Sequence, residues 1–376
     1  MADQVKTVQP PVSTRKSPSK SRVAVVYAKP ETVLEDIGRA MHLAGYQDAL
    51  PKDKATILKI NISWQHYYPA CSTSPWQLDG VIKTLLADGY ANLVPTHNST
   101  VVVSAHEGDV NNKHNVVLEK YGLRATYLEE PPVRWVKYEP KGKMLVLDKV
   151  YPEGILIPDA LMGKNIIHLP TMKTHVFTTI TGAMKNAFGG LLNRKRHWTH
   201  SVIHETLVDL LTIQKEIHPG IFAVTDGTFA GDGPGPRAMR VHVKNAILAS
   251  ADQVAIDAVS AKMMGFNPMS LDFIRLAHEN GLGCGDPSQI EVVGEDISGV
   301  DWRFRGSENT FASRGQKLIY HGPLKPLETL LLRTVLAPWA YLASNVYHNA
   351  YWYNIYGKRR VREAMDTPWG KLFQSY

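Results

Sequence analysis

The densest group of reactive side chains in this sequence follows a short apolar run. Lys173, His175, Lys185 and Asn186 supply two ammonium groups, an imidazole and an amide within a short stretch. Ammonium groups bind phosphate or carboxylate oxygens as point charges, and an imidazole exchanges protons near neutral pH. The pattern predicts an anion-binding site with Lys173 and His175 as catalytic residues. Lys185 and Asn186 are then predicted ligands of the substrate.

A Thr-Gly pair at 181 and 182 precedes Lys185 and marks the expected start of a helix. A helix N-terminus offers backbone N–H donors and the positive end of its dipole, so Thr181 joins the predicted substrate ligands. The competing interpretation is a capped loop whose threonines satisfy helix ends and whose lysines form salt bridges. His175 has a further candidate role as a metal ligand.

A second polar stretch, 224–237, contains two aspartates spaced by glycines. Asp226 follows an apolar run, and Asp232 stands between Gly231 and Gly233. Two carboxylates suit a divalent metal ion, and Asp226 is also a candidate catalytic base. Glycines let a backbone approach a ligand closely, so Gly233 is a predicted substrate contact. The alternative is a tight turn in which each aspartate bonds its own backbone.

Further polar residues are candidates for the same site. Lys59 and Asn61 end an apolar strand pattern, and we expect both to bind substrate. Three histidines, His197, His200 and His204, have a spacing that would align them on one helix face. Basic neighbours disfavour a bound cation there, so a solvated or anion-contacting role is preferred and metal binding is the alternative. The histidines at 97, 106 and 114 lie in a polar N-terminal stretch, from which one could reach the site.

Apolar runs alternate with amphipathic stretches along most of the chain. The runs at 23–27, 55–62, 165–169 and 221–225 are typical of buried strands, and 201–217 is typical of a helix. This alternation predicts an α/β fold with a largely parallel, doubly wound sheet in two halves around a cleft. Both motif stretches would then be loops at strand ends, facing each other across the cleft, where such sheets bind ligands.

Composition divides the chain into four predicted regions. Residues 1–22 are rich in Pro, Ser and Lys and predict a disordered tail. An N-terminal α/β half is expected at 23–162 and a C-terminal α/β half, carrying the main motifs, at 163–310. A helical, aromatic extension is expected at 311–376.

The C-terminal extension contains a mostly apolar segment, 330–346, followed by aromatic residues and a basic run at 357–362. Arg333 and Pro338 argue against a membrane span, which needs about 20 apolar residues. An interfacial helix with an aromatic belt and a cationic flank is one hypothesis. Docking on the core, on a protein partner or on a second copy of the chain is the other.

Charge and cysteine content restrict the partners. The net charge of +7 over 376 residues favours a small anion or a membrane surface over a nucleic acid, for which no recognition signature is present. Two cysteines, Cys71 and Cys284, are too few to hold an iron–sulfur cluster and suit a reducing compartment. The first residues lack an apolar signal core. We therefore expect a cytoplasmic location, either free or peripheral to a membrane.

Several of these motifs occur in the same order in a known family. Lys173-Thr174-His175 is followed by TGAMKNAFG at 181–189, by Asp226-Gly227 with its Gly/Pro-rich continuation, and by ASADQVAIDA at 249–258. Over about residues 55–285 the chain resembles the family labelled domain of unknown function 362. The resemblance implies no assigned activity. Relatives often carry ferredoxin-like iron–sulfur segments, whose cysteines this chain lacks.

Together these patterns predict an enzyme that acts on a small anionic substrate in the cleft, with or without a divalent metal. Proton abstraction, group transfer and metal-assisted hydrolysis all remain open as reaction classes. The alternative is a non-catalytic redox-accessory or assembly protein that works with an iron–sulfur or membrane-bound partner.

Overall fold

The computed structural model describes residues 21–100, 102–306, 308–320, 322–323, 325–327 and 345–376. The predicted tail therefore lies outside the described residues except for its last two, and so does the segment 330–346 except for its last two. The strands are β1 Arg22–Tyr27, β2 Thr56–Ile60, β3 Leu93–His97, β4 Thr126–Tyr127, β5 Trp135–Tyr138, β6 Ile155–Pro158, β7 Asn165–Leu169, β8 Thr171–His175, β9 Thr179–Ile180, β10 Ile221–Asp232, β11 Arg240–Ser250 and β12 Glu291–Gly294.

Helices connect most of these strands. The α-helices are α1 Val33–Leu43, α2 Tyr46–Ala49, α3 Pro75–Ala87, α4 Ala105–Asn111, α5 His114–Lys120, α6 Leu147–Val150, α7 Ala183–Asn186, α8 Phe188–Leu191, α9 Ile203–Ile217, α10 Gln253–Met264, α11 Asp272–Glu279, α12 Phe311–Tyr320, α13 Lys358–Met365 and α14 Pro368–Ser375. Short 3-10 helices span Asp159–Leu161, Arg194–Val202, Pro268–Ser270, Pro287–Gln289 and Lys325–Leu327, and a π-helix spans Val346–Gly357.

Ten of the described strands form one sheet, in the order β12-β1-β11-β10-β7-β2-β3-β4, with β8 paired to β10 and β9 to β8. The pairs β1–β11, β10–β11 and β8–β9 are antiparallel, and the other pairs are parallel. Strands β5 and β6 form a separate antiparallel pair. The predicted α/β class with a largely parallel sheet and a helical aromatic C-terminal region is confirmed.

Helices cover both faces of the sheet, so the apolar residues of a strand alternate between two cores. In β1, Val23 and Val25 belong to the core that includes α9 and α10, whereas Ala24 and Val26 belong to the core that includes α1 and α3. A strand buried on both faces needs apolar side chains at every position. This requirement explains the uninterrupted apolar runs in the sequence and gives the sheet its doubly wound form.

The two motif stretches differ from the loops expected at these positions. Residues Thr171–His175 form the strand β8, which pairs in parallel with β10. The glycine-rich stretch is also extended, because β10 runs without a break through Asp226 to Asp232. Pairing with β11 over residues 223–232, with a β-bulge between Gly227 and Phe229, keeps Asp226 and Asp232 in one strand. The predicted glycine loop is therefore confined to the turn that begins at Gly233.

Strands from both predicted halves alternate in the same sheet. β1 lies between β11 and β12, and β2 pairs with β7, so hydrogen bonds cross the expected boundary at 162 and 163 in two places. The division into 23–162 and 163–310 stays a prediction about sequence regions. The sheet itself is continuous across it.

The described part of the C-terminal extension packs on the core that includes α1 and α3. The rings of Trp64 and Tyr353 meet edge to face with centroids 5.0 Å apart, and Trp76 and Trp369 lie 5.2 Å apart. Trp369 is buried and donates a hydrogen bond of 2.7 Å from Nε1 to Oδ1 of Asn245. Residues 345–376 therefore dock on their own chain, which is one of the two arrangements expected.

Candidate functional site

A cavity of about 310 Å³ lies at the carboxyl ends of β2 and β3. Ligands of open α/β sheets bind at such strand ends, because the loops that follow the strands meet there. Side chains from eight separate stretches of the chain line it: Lys59, Asn61, Asn98, His175, Lys185, Asn186, Phe188, Arg196, His200, Arg237, Tyr320 and His348, among others. The cavity is thus a product of tertiary packing.

Lys59 enters the cavity wall from β2. Its ammonium group donates hydrogen bonds of 2.8 Å to Oδ1 of Asn98 and 2.9 Å to the carbonyl oxygen of Ile60. Both partners are neutral, so they position the charge without cancelling it. An ammonium held in this way keeps an electrostatic demand for an anion.

Lys185 and Arg196 contribute two more cations, both close to the ring of Phe188. Nζ of Lys185 lies 5.5 Å from the centroid of Phe188, and the guanidinium of Arg196 lies 5.9 Å from the same centroid. Nη1 of Arg196 is buried without a hydrogen-bond partner among the described residues. Neither cation forms a salt bridge within the part of the chain that the structure describes.

The lining carries a strong excess of positive charge. Arg237 adds a fourth cation, fixed by a 3.2 Å hydrogen bond from Nε to the carbonyl of Ser63. No aspartate or glutamate is among the described residues that line the cavity. The charge of Glu129 raises the pKa of Lys59 and of Arg196, against the lowering by burial, and Oε2 of Glu129 accepts the backbone N–H of Ser99 at 3.0 Å.

The pKa values of Lys59 and Lys185 reflect both their burial and this excess of positive charge. Burial lowers the pKa of Lys59 to about 7, and the charge of Arg196 acts in the same direction. Burial likewise lowers the pKa of Lys185 to about 7, with further lowering by Lys173 and Arg196. A bound anion would reverse both effects, because an opposite charge stabilises the ammonium form.

Two histidines in the lining have opposite hydrogen-bonding roles. Nδ1 of His175 accepts the backbone N–H of Phe177 at 3.2 Å, so the ring proton is on Nε2. Nδ1 of His200 donates to the carbonyl of His197 at 3.0 Å, which leaves Nε2 of His200 as an acceptor. Burial lowers the pKa of His175 well below its usual value and that of His200 to about 3. One neutral donor and one neutral acceptor therefore border the cavity.

The short helix α7 carries Lys185 and Asn186, and a buried carboxylate holds its start. Asp257 accepts the backbone N–H groups of Ala183 at 2.7 Å and of Met184 at 3.0 Å. Burial raises the pKa of Asp257 to about 8, against the lowering effect of these two bonds. A Cβ at Gly182 would lie 2.2 Å from Oδ1 of Asp257, so only glycine fits beside this cap.

The glycine pair after α7 makes room for the cavity wall. At Gly190, φ is +131°, and a Cβ there would lie 2.7 Å from Cε of Lys59. Asn186 bonds the same strand by donating from Nδ2 to the carbonyl of Lys59 at 2.9 Å. The run Lys-Asn-x-Phe-Gly-Gly thus packs on β2 with both of its polar side chains at the cavity.

Five predicted site residues line this cavity: Lys59, Asn61, His175, Lys185 and Asn186. Lys173 and Thr181 do not line it. Lys173 is buried in β8, where Nζ donates to Oγ1 of Thr171 at 2.7 Å, and Thr181 bonds back to the carbonyls of the same strand.

The two predicted metal-binding aspartates also lie outside the lining, as does Gly233. Oδ2 of Asp226 accepts from Oγ of Ser74 and from Nε1 of Trp76, and Asp232 pairs with Arg240 at 2.9 Å. The two carboxylates are six residues apart on one strand, a separation of about 20 Å at about 3.3 Å per residue. One ion cannot bridge that distance, which corrects the prediction of a shared metal site.

Several lining residues were not among the predicted ligands. Arg196 and His200 lie in the basic 3-10 helix Arg194–Val202. A solvated or anion-contacting role is the preferred interpretation for the histidines of this stretch, and Arg196 enters it only as a neighbour that disfavours a cation. Asn98 directly follows β3, so it is a polar residue at a strand end, where a ligand contact is expected. Tyr320 and His348 come from the C-terminal extension, and no local pattern connects that region with the motif stretches.

The match to known families covers the central part of this architecture. Residues 56–262, more than half of the chain, match the model described as Domain of unknown function (DUF362). The chain belongs to the DUF362 family. The DUF362 match includes the four cavity cations, whereas Tyr320 and His348 lie beyond it.

This chain is similar to one curated protein, the thylakoid-associated protein sll1697 of Synechocystis sp. (strain ATCC 27184 / PCC 6803 / Kazusa). The two sequences are 27% identical over 145 residues, which is 37% of this chain and 43% of the relative. The chain thus matches less than half the length of that protein. No solved structure is significantly similar. Within the described residues, no helix is both long and apolar enough to cross a bilayer.

Proposed function

We propose that this protein is an enzyme that binds a small phosphate- or carboxylate-bearing molecule in the cavity. The observation that carries the proposal is the set of four cations, Lys59, Lys185, Arg196 and Arg237, around a described lining without a carboxylate. Buried cations without an acidic partner are costly, and an anionic ligand removes that cost. The same arrangement strengthens the attraction, because the cavity walls exclude most of the water.

The two histidines give the proposal its chemical content. A ligand held by the cations would lie beside the N–H donor of His175 and the free Nε2 of His200. The anion would also raise the pKa of each imidazole toward neutrality. General acid–base catalysis requires a proton donor and a proton acceptor beside the same ligand. We propose this role for His175 and His200.

The test is a calorimetric titration with inorganic phosphate, sulfate and malonate. Wild-type protein should bind at least one of them, and Lys185→Met should weaken that binding about 10- to 100-fold, because it removes one charged hydrogen-bond donor. Lys143→Met is the matched control, since Lys143 is exposed and distant from the lining. Absence of binding by all three anions, or an equal loss in the control, would contradict the proposal.

A second candidate function is association with the surface of an anionic membrane, as an accessory to a membrane-bound partner. Four large apolar side chains are exposed on the π-helix: Val346, Tyr351, Ile355 and Tyr356. The rings of Tyr351 and Tyr356 lie 6.4 Å apart, which makes the exposed apolar surface continuous between these two positions. The exposed basic residues of α13 follow directly. An apolar face beside a cationic flank suits a lipid interface, and the relative's printed name also places that protein at a membrane.

A further inference from the structure

A second cluster of buried side chains lies behind the cavity wall. His97 ends β3, Asp109 lies in α4, and His114 begins α5. His97 and His114 are fully buried and Asp109 is 6% exposed, so water does not solvate the group. Asn98, which holds Lys59, directly follows the first of these residues.

Three side-chain atoms of this cluster converge on one point. Nε2 of His97 lies 2.9 Å and Nδ1 of His114 lies 3.8 Å from Oδ1 of Asp109. All three atoms lie within 4.8 Å of one another; Nδ1 of His114 has no hydrogen-bond partner among the described residues, and the contact of His97 with Asp109 lacks the alignment of a full hydrogen bond. Leaving a buried polar atom unpaired costs about 1–3 kcal/mol, so this arrangement favours a compensating partner.

Outer hydrogen bonds orient two of the three side chains toward the cluster. Nε2 of His114 donates to the carbonyl of Thr73 at 2.7 Å, so Nδ1 is unprotonated and faces the cluster. The hydroxyl of Tyr127 donates to Oδ2 of Asp109 at 3.1 Å, so Oδ1 is the oxygen that faces the two imidazoles. Metal-binding histidines and carboxylates are usually fixed in this way, by a hydrogen bond on the atom that does not bind the metal.

We propose that His97, Asp109 and His114 bind a divalent first-row transition-metal ion such as Zn²⁺. Two imidazoles and one carboxylate suit this class, whereas Ca²⁺ and Mg²⁺ prefer oxygen ligands throughout. Bonds of about 2.0–2.2 Å in tetrahedral geometry place neighbouring ligand atoms about 3.3–3.6 Å apart. The present separations require only small shifts of the side chains to reach that geometry.

The ion would connect three elements beside the cavity. It would link the end of β3 to α4 and α5, and so fix the backbone from which Asn98 reaches Lys59. The site is separate from the cavity lining, which contains none of its three ligands. Its role is therefore to stabilise the wall of the cavity, and the metal proposal holds independently of the cavity's ligand.

The experiment measures metal content and metal affinity of the full chain. Protein purified from zinc-supplemented cells should contain about one Zn²⁺ per chain by mass spectrometry. In Co²⁺-loaded protein, nitrogen and oxygen ligation should give visible absorption bands typical of a low-coordinate site. His97→Gln and His114→Gln should each reduce the Zn²⁺ affinity about 10- to 100-fold or more in a competition titration with a chromophoric chelator.

His106→Gln is the control, because His106 lies on α4 but is exposed and pairs with Glu130 at 2.6 Å. It should retain full Zn²⁺ content. If His97→Gln does not fold, Asp109→Asn and the Co²⁺ spectrum of wild-type protein decide the question. Wild-type protein that takes up no stoichiometric Zn²⁺ or Co²⁺ would overturn the proposal. Equal loss of metal from the His106 variant and the ligand variants would overturn it as well.

Discussion

Lys59 and Lys185 are the two residues on which the character of the cavity depends most directly. Lys59 lies next to neutral partners and Lys185 lies near the ring of Phe188, and burial lowers the pKa of each to about 7. In the unfolded chain each lysine would titrate near 10.5. Because the unfolded state binds more protons between these values, the stability of the free protein should rise as the pH increases from about 7 toward 10.5.

Anion affinity should have the opposite dependence on pH. A bound anion raises the pKa of each lysine, so affinity is constant below about pH 7 and falls above it, until the pKa of the complex is reached. Above that pH the anion affinity should fall by up to about tenfold per pH unit for each lysine. At Lys59, the charge of Arg196 lowers the pKa further and the charge of Glu129 raises it. The balance of these effects sets the pH at which the anion affinity begins to fall.

Sulfate is the suitable probe, because its charge is constant between about pH 6 and about pH 9. Lys185→Arg should flatten the profile, since a guanidinium keeps its charge throughout this range. An affinity for sulfate that does not change with pH in the wild-type protein would contradict this account of the two lysines.

At the scale of elements, the short helix α7 depends on a residue distant in sequence. Its four residues are too few to be stable alone, since helix formation needs a costly first turn. Asp257 of α10 compensates by accepting two of its N-terminal N–H groups. The position of Lys185 and Asn186 at the cavity therefore depends on the packing of α10 against α7.

Replacing this cap should affect both stability and binding. Asp257→Ala leaves two buried N–H groups unpaired, and we expect a loss of about 2–4 kcal/mol in the free energy of unfolding by urea titration. Sulfate affinity should fall at the same time, because Lys185 loses its position. Asp296→Ala is the control, since this exposed aspartate caps only the turn at Ser298 and should cost less than about 0.5 kcal/mol. A folded Asp257→Ala protein with unchanged sulfate affinity would show that α7 is positioned by other contacts.

At the scale of the whole molecule, the C-terminal extension has two different sides. One side packs on the core through Trp352 and Trp369, and the π-helix also brings His348 to the cavity lining. The other side exposes Tyr351 and Ile355 beside the basic start of α13.

Flotation with vesicles tests this second side. The full chain should float with vesicles that contain phosphatidylglycerol at low salt and less with phosphatidylcholine alone, because each basic residue near an anionic surface contributes about 1 kcal/mol. The double change Tyr351→Ser and Ile355→Ser should reduce flotation. Leu156→Ser, a change at an exposed apolar residue of β6, should not. Protein that stays below the vesicles at low salt would remove the membrane candidate.

Sequence by itself determined the α/β class and the residues that reach the strand ends. Unbroken apolar runs require strands buried on two faces, and the polar residue after each run then falls at one edge of the sheet. Lys59, His175, Lys185 and Asn186 were identified on this local basis. These inferences need only neighbours in the chain, which is why they did not depend on how the strands pair.

Tertiary structure decided which of the polar stretches meet. The glycines around Asp232 suggested a turn, but pairing with β11 extends this stretch and separates the two aspartates. Arg196, Arg237 and Asn98 come together only when the loops fold over the sheet, and so do the three ligands of the proposed metal site. The physical reason is that a side chain's charge is a local property, whereas its partner is selected by long-range strand pairing and packing.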